Sequence, residues 1–159
     1  MKLRIISVGH KMPAWVTTAC AEYTKRMPRE ASLEIIEIKP EKRAAGNSTE
    51  NIQLIEAKRI LEAIGRDYIV ALDERGQQPT SLELAEKFKT WLDGSTTQGR
   101  DIALVIGGAD GLHASVKQQA NWLWSLSKLT MPHALVRVML AEQLYRAMTV
   151  IQNHPYHRE

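Results

Sequence analysis

The chain has a single cysteine, Cys20. An intrachain disulfide is excluded, and no cysteines stand at zinc-ligand spacing. A reducing compartment fits that usage. No apolar run approaches the length that spans a bilayer. The opening "MKLRIISVG" is too short and too quickly polar for a signal peptide. The expectation is a soluble, cytoplasmic protein with no membrane partner and no structural zinc. Charge of one sign is also scarce. Lys and Arg number 21 against 18 Asp and Glu, a net charge of +3. That balance lends little support to nucleic-acid binding by bulk attraction alone, and none to a histone-like DNA binder. Internal repeats and low-complexity tracts are missing too. With 159 residues the chain suits one domain, 1–159, around one sizeable core.

What is present alternates. "LRIISV" reads as a first strand, stopped by Gly9. Ala14 to Met27 reads as a helix, with Pro13 at its start, Pro28 at its end and Trp15, Ala19 and Tyr23 along one face. "LEIIEI" is a second strand and Pro40 to Thr49 a loop, with Ser48 or Thr49 capping the next helix. "YIVALD" and "IALVIG" are almost continuously apolar, as strands covered on both faces are. Thr80 and Glu83 have capping-box spacing ahead of a helix carrying Leu84, Phe88 and Leu92. Leu126–Thr130 reads as a short fifth strand, with Trp122 and Trp124 just before it. A last helix runs from about Ala134 to Thr149, with Leu140, Leu144 and Met148 as its core stripe. This order implies an α/β fold with a mostly parallel sheet and helices on both faces.

Such sheets bind ligands beyond the carboxyl ends of their strands. Three segments fall there. "LDERG" places Leu72 and Asp73 at a strand end. "GGADG" carries Gly107, Gly108 and Gly111, which let a ligand approach backbone closely. It has neither the dinucleotide nor the phosphate-loop glycine spacing. "SKLTMPH", Ser127 to His133, supplies hydroxyls and exposed backbone at a rim. The alternatives are a solvated turn for "LDERG", a plain strand-to-helix turn for "GGADG" and ordinary core filling for "SKLTMPH". The last helix carries Arg137 with Ala141 and Tyr145. Glu142 and Arg146 stand four apart and can pair on a solvated face. The tail His154-Pro155-Tyr156-His157-Arg158 offers a ring that stacks on a base, a guanidinium for phosphate and an imidazole for proton exchange, unless it is simply frayed. His10 and His113 have no context suggesting a metal. Cys20, inside the first helix, is not a convincing nucleophile.

"VIGGADG", "WSLSKLTMPHALVRVMLAEQLYRA" and "NHPYH", together with "LRIISVG" and "LDERG", closely resemble the bacterial SPOUT-class methyltransferase H family of large-subunit ribosomal RNA. The resemblance covers essentially the whole chain. It implies a C-terminal trefoil knot, an obligatory homodimer, S-adenosyl-L-methionine as methyl donor, and N3 of a pseudouridine in 23S RNA, on assembled ribosomes, as acceptor. Carried over by position, Leu72, Gly108 and Ser127, Lys128, Leu129, Thr130, Met131 and Pro132 are expected to form the cofactor pocket. His133, Arg137, Arg146, Tyr156, His157 and Arg158 are expected on the substrate side, with the tail reaching a partner protomer's pocket. A nucleotide-binding α/β enzyme and a non-enzymatic ribosome-associated protein are the alternatives.

Overall fold

The computed structural model describes every residue except His10, Ala45, Arg158 and Glu159. The expected Arg158 role therefore lies outside the described residues. Five strands, β1 (Lys2–Val8), β2 (Ser32–Ile38), β3 (Tyr68–Gln77), β4 (Ile102–Ile106) and β5 (Trp122–Trp124), form one sheet in the order β2-β1-β4-β3-β5, every pair parallel. Five helices connect or follow them: α1 (Ala14–Thr24), α2 (Thr49–Ile64), α3 (Ser81–Leu92), α4 (Ala114–Gln119) and α5 (His133–Ile151).

The strand alternation sorts the core into two layers. Leu3, Ile5, Val70, Ile102 and Leu104 face one side, with Phe88 and Trp91 of α3 and Leu140 and Leu144 of α5. Ile6, Val8, Ile69, Ala103 and Val105 face the other, with Ile60 of α2 and Val116 of α4. Both faces are covered, which is why the first half of β3 and all of β4 read as nearly unbroken apolar runs. Each fully buried large side chain stabilises the fold by roughly 1.5–3 kcal/mol. Both α1 and α3 pack on α5, so the last helix is the spine of its layer.

Local signals act as expected at two helix starts. Ser48 accepts from the Asn51 N–H at 3.1 Å, and Thr80 and Glu83 close a reciprocal capping box.

Four readings are corrected. First, Leu126–Thr130 is not a strand. The edge strand is Trp122–Trp124, whose two indoles stack at 5.3 Å, and 125–132 is a loop. Second, α1 ends at Thr24 and buries Val16 and Cys20, leaving Trp15 54% exposed. Third, β3 does not stop at Asp73. It continues to Gln77 with a break in register between Leu72 and Gln77, both opposite Trp124. A Cβ on Gly76 would lie 2.6 Å from the Leu123 carbonyl carbon, so this close crossing requires glycine. Fourth, α4 was not anticipated. His113 caps it, its Nδ1 accepting from the Ser115 N–H at 3.1 Å.

Candidate cofactor cleft and tail

The three expected ligand segments meet. Residues 72–75 after the regular part of β3, 106–112 after β4, and 124–127 with 129–131 after β5 line one cleft of about 550 Å³, with His133 and Val136 of α5 closing its floor. That volume is in the range of small-molecule sites. Leu72, Gly108, Ser127, Leu129, Thr130 and Met131 all contribute. Lys128 and Pro132 complete the loop without lining the cleft, and Pro132 instead starts α5, its carbonyl accepting from the Val136 N–H.

Each wall is fixed by hydrogen bonds. Gly111 N–H donates to the Gly108 carbonyl at 3.0 Å, folding 107–111 into a tight loop. Gln53 donates to the Asp110 carbonyl, and Arg43 pairs with the Asp110 carboxylate at 2.6 Å. A Cβ on Gly107 would sit 2.6 Å from the Gly111 carbonyl carbon. On the opposite wall, Ser125 Oγ donates to the Ser127 carbonyl at 3.0 Å and the Leu129 N–H to Ser127 Oγ at 2.9 Å. Asp73 pairs with Lys117 at 2.7 Å. Burial opposes its ionisation, but bonds from Lys117 and the Arg75 N–H outweigh that and hold the carboxyl below its ordinary range.

Beneath the cleft lies a polar cluster that pattern reading missed. Ser7 is fully buried in β1, and its Oγ lies 2.8 Å from His133 Nε2. The backbone of Gly107 bonds the same ring. Arg137, 2% exposed, donates to the Gly9 carbonyl at 3.0 Å and to Glu37 at 3.3 Å. Within this chain it acts as an internal brace. A serine in the apolar second half of β1 was the one sequence signal for this cluster.

Burial and the Arg137 charge, partly opposed by the Gly107 bond, lower the His133 pKa, so the ring is neutral at pH 7. A depressed folded value gives a contribution to stability that is complete above the unfolded value, about 6.5, and lost as pH falls through the folded one. Urea unfolding should therefore show stability declining below about pH 6.5, and His133→Gln should remove part of that decline. A His133 ring resonance titrating at or above the ordinary histidine value would contradict this.

The tail is folded against α5. Pro155–His157 forms a short 3-10 turn. The Tyr156 ring meets Tyr145 edge-on at 4.8 Å, with the Arg146 guanidinium 5.2 Å from its centre. Arg146 also pairs with Glu142 at 2.7 Å. Its charge is thus engaged within the chain. His157 Nδ1 is shielded from solvent with no hydrogen-bond partner among the described residues. Cys20 is buried, and burial pushes its thiol up despite the Arg137 charge, so it stays protonated and unreactive.

A parallel α/β sheet with a glycine-walled cleft beyond its strand ends defines a class of small-molecule-binding enzymes. The comparisons narrow it. Residues 1–157 match the family described as "Predicted SPOUT methyltransferase". A protein of Methylobacillus flagellatus named ribosomal RNA large subunit methyltransferase H is 69% identical over the full length of both chains. Proteins of that name from Paraburkholderia phymatum and Hydrogenovibrio crunogenus are 54% and 50% identical over 99% and 100% of each chain. Among solved structures, a probable methyltransferase from Bordetella pertussis has a TM-score of 0.58 at 16% identity, covering 92% of this chain and 95% of its own, which speaks to fold alone. The chain belongs to the SPOUT methyltransferase family.

Proposed function

We propose that this protein transfers a methyl group from S-adenosyl-L-methionine to N3 of a pseudouridine in large-subunit ribosomal RNA. The observation that carries the reading is the cleft. Its Gly107–Gly108 wall has no room for a side chain at Gly107 and little at Gly108, and its bare backbone N–H and C=O groups can receive a flat ring. The 125–131 loop offers further backbone opposite. Close relatives bearing a ribosomal RNA methyltransferase name support the acceptor.

Bound there, the cofactor supplies an electrophilic methyl on a sulfonium. The protein's part is alignment. The Gly108, Ser127 and Leu72 walls hold the donor, and His133, Ser7 and Arg137 keep those walls in register from below. As the carbon–sulfur bond breaks and the carbon–nitrogen bond forms, the N3 proton must leave. His157 is the base we assign, with Tyr156 placing it and Arg146 supporting the tail.

The same reading includes a homodimer, a trefoil knot and the assembled ribosome as substrate. Trp15, Leu129 and Met139 are large apolar side chains left exposed on α1, the cleft loop and α5, as a partner surface requires. The return of the chain from β5 at the sheet edge to Ser7 in β1, through 125–132, supports a threaded C-terminus. A partner's tail over the cleft would complete the acceptor side.

Titration calorimetry tests the cofactor assignment. S-adenosyl-L-methionine and its demethylated product should bind, with ATP at least about 100-fold weaker, a gap of about 2.7 kcal/mol. Comparable ATP affinity would point to a nucleotide-binding enzyme instead.

A further inference from the structure

Four hydrogen-bond donors converge on one carboxylate in the middle of α5. Arg146 gives Nε to Glu142 Oε1 at 2.9 Å and a terminal nitrogen to the same oxygen at 2.7 Å. The Tyr156 hydroxyl donates to that oxygen at 3.0 Å, and Gln143 donates to Oε2 at 2.9 Å. An i,i+4 pair on an open helix face contributes little and involves no third group. This pair differs in two ways. The Glu142 side chain is only 14% exposed. Its third donor belongs to the tail, 14 residues further on.

The sequence of contacts has a direction. Arg146 orients the carboxylate, the carboxylate holds the phenol, and the phenol fixes the 155–157 turn. Charge-assisted bonds of this kind are stronger than neutral ones and narrow in geometry. Ring contacts from Tyr145 and Arg146 hold the phenol from two sides. The residue next to Tyr156 is His157, whose solvent-shielded Nδ1 has no partner among the described residues.

We infer that Glu142 is a positioning residue for methyl transfer: through the Tyr156 hydroxyl it sets where the tail presents His157 to the RNA base. The inference rests on the reading above that the tail serves the acceptor side. Glu142 itself does not line the cofactor cleft.

The test uses the full-length protein with ribosomes as methyl acceptor, and compares Glu142→Ala, Glu142→Gln, Tyr156→Phe and the Glu142→Ala/Tyr156→Phe double variant. The wild-type enzyme in the same assay establishes whether the acceptor reading holds; its failure would indict that reading, not Glu142. With wild type active, Glu142→Ala and Tyr156→Phe should each lower kcat about 10-fold or more, with KM and Kd for S-adenosyl-L-methionine within about twofold. The double variant should be no worse than the poorer single, because both remove one link. Glu142→Gln keeps an acceptor for the phenol, so it should recover part of the loss, and being isosteric it guards against a fold defect in the alanine variant. Multiplying effects in the double variant, unchanged kcat in Glu142→Ala, or a matching loss of cofactor affinity would each overturn the proposal.

Discussion

Gly107→Ala is expected to weaken S-adenosyl-L-methionine binding by about 100-fold or more, about 2.7 kcal/mol. The added methyl would lie 2.6 Å from the Gly111 carbonyl carbon and 2.9 Å from both the Gly111 oxygen and the Leu112 nitrogen. All three are backbone atoms in a tight loop, so no rotamer change relieves the clash. The loop must open, breaking the Gly111-to-Gly108 bond that shapes the wall. Forced overpacking costs typically about 1–3 kcal/mol of stability, so a lower Tm should accompany the lost affinity. Ala44, exposed and outside the cleft lining, is the control: Ala44→Ser should change neither. Calorimetry of the two variants at one temperature decides the matter. Near-normal binding by Gly107→Ala would mean that the cofactor does not depend on this wall.

The second large effect concerns turnover. Replacing Tyr156 and His157 together by alanine should cut methyl transfer by about 100- to 10,000-fold, the span expected when a general base is lost. Cofactor affinity should stay within about twofold, because neither side chain lines the cleft. The raised Tyr156 pKa sharpens the picture. Burial, then hydrogen bonds to Tyr23 and Glu142, keep the phenol protonated well above its ordinary value. A raised folded value stabilises docking below the unfolded pKa, about 10, and that contribution is lost as pH rises through the folded one. The tail should therefore stay docked throughout the neutral range. Single-turnover assays beside cofactor titrations check the pair. Unchanged turnover would remove both residues from the mechanism.

Legibility in the sequence followed burial. Strands β1, β3 and β4 were readable because both their faces are covered, and α5 because Leu140, Leu144 and Met148 repeat at helical spacing. The edge strand β5 was not. Trp122–Trp124 is three residues long, and the mixed polar and apolar residues of 126–130 imitate a strand while forming the cleft rim. The helix α4 buries only Val116 and offers no periodicity to detect. The face of α1 was misassigned because Trp15, its largest apolar side chain, points outward.

The site divides along the same line. The glycine loop and the Ser127–Met131 rim announced themselves by composition and resemblance. The brace beneath them did not: Ser7 and His133 are 126 positions apart, Arg137 and Glu37 100, and only the return of α5 across the sheet joins them. Arg137 and Arg146 illustrate the limit. Both were expected on the substrate side by resemblance, and both pair with carboxylates within the chain.

The central claim is best tested by incubating the protein with radiolabelled S-adenosyl-L-methionine and ribosomes from a strain lacking this activity, then mapping the labelled nucleoside. Label on N3 of a pseudouridine in large-subunit RNA is the result expected. A folded protein that binds the cofactor yet leaves those ribosomes unlabelled would contradict the account and redirect attention to another acceptor or to a non-catalytic role on the ribosome.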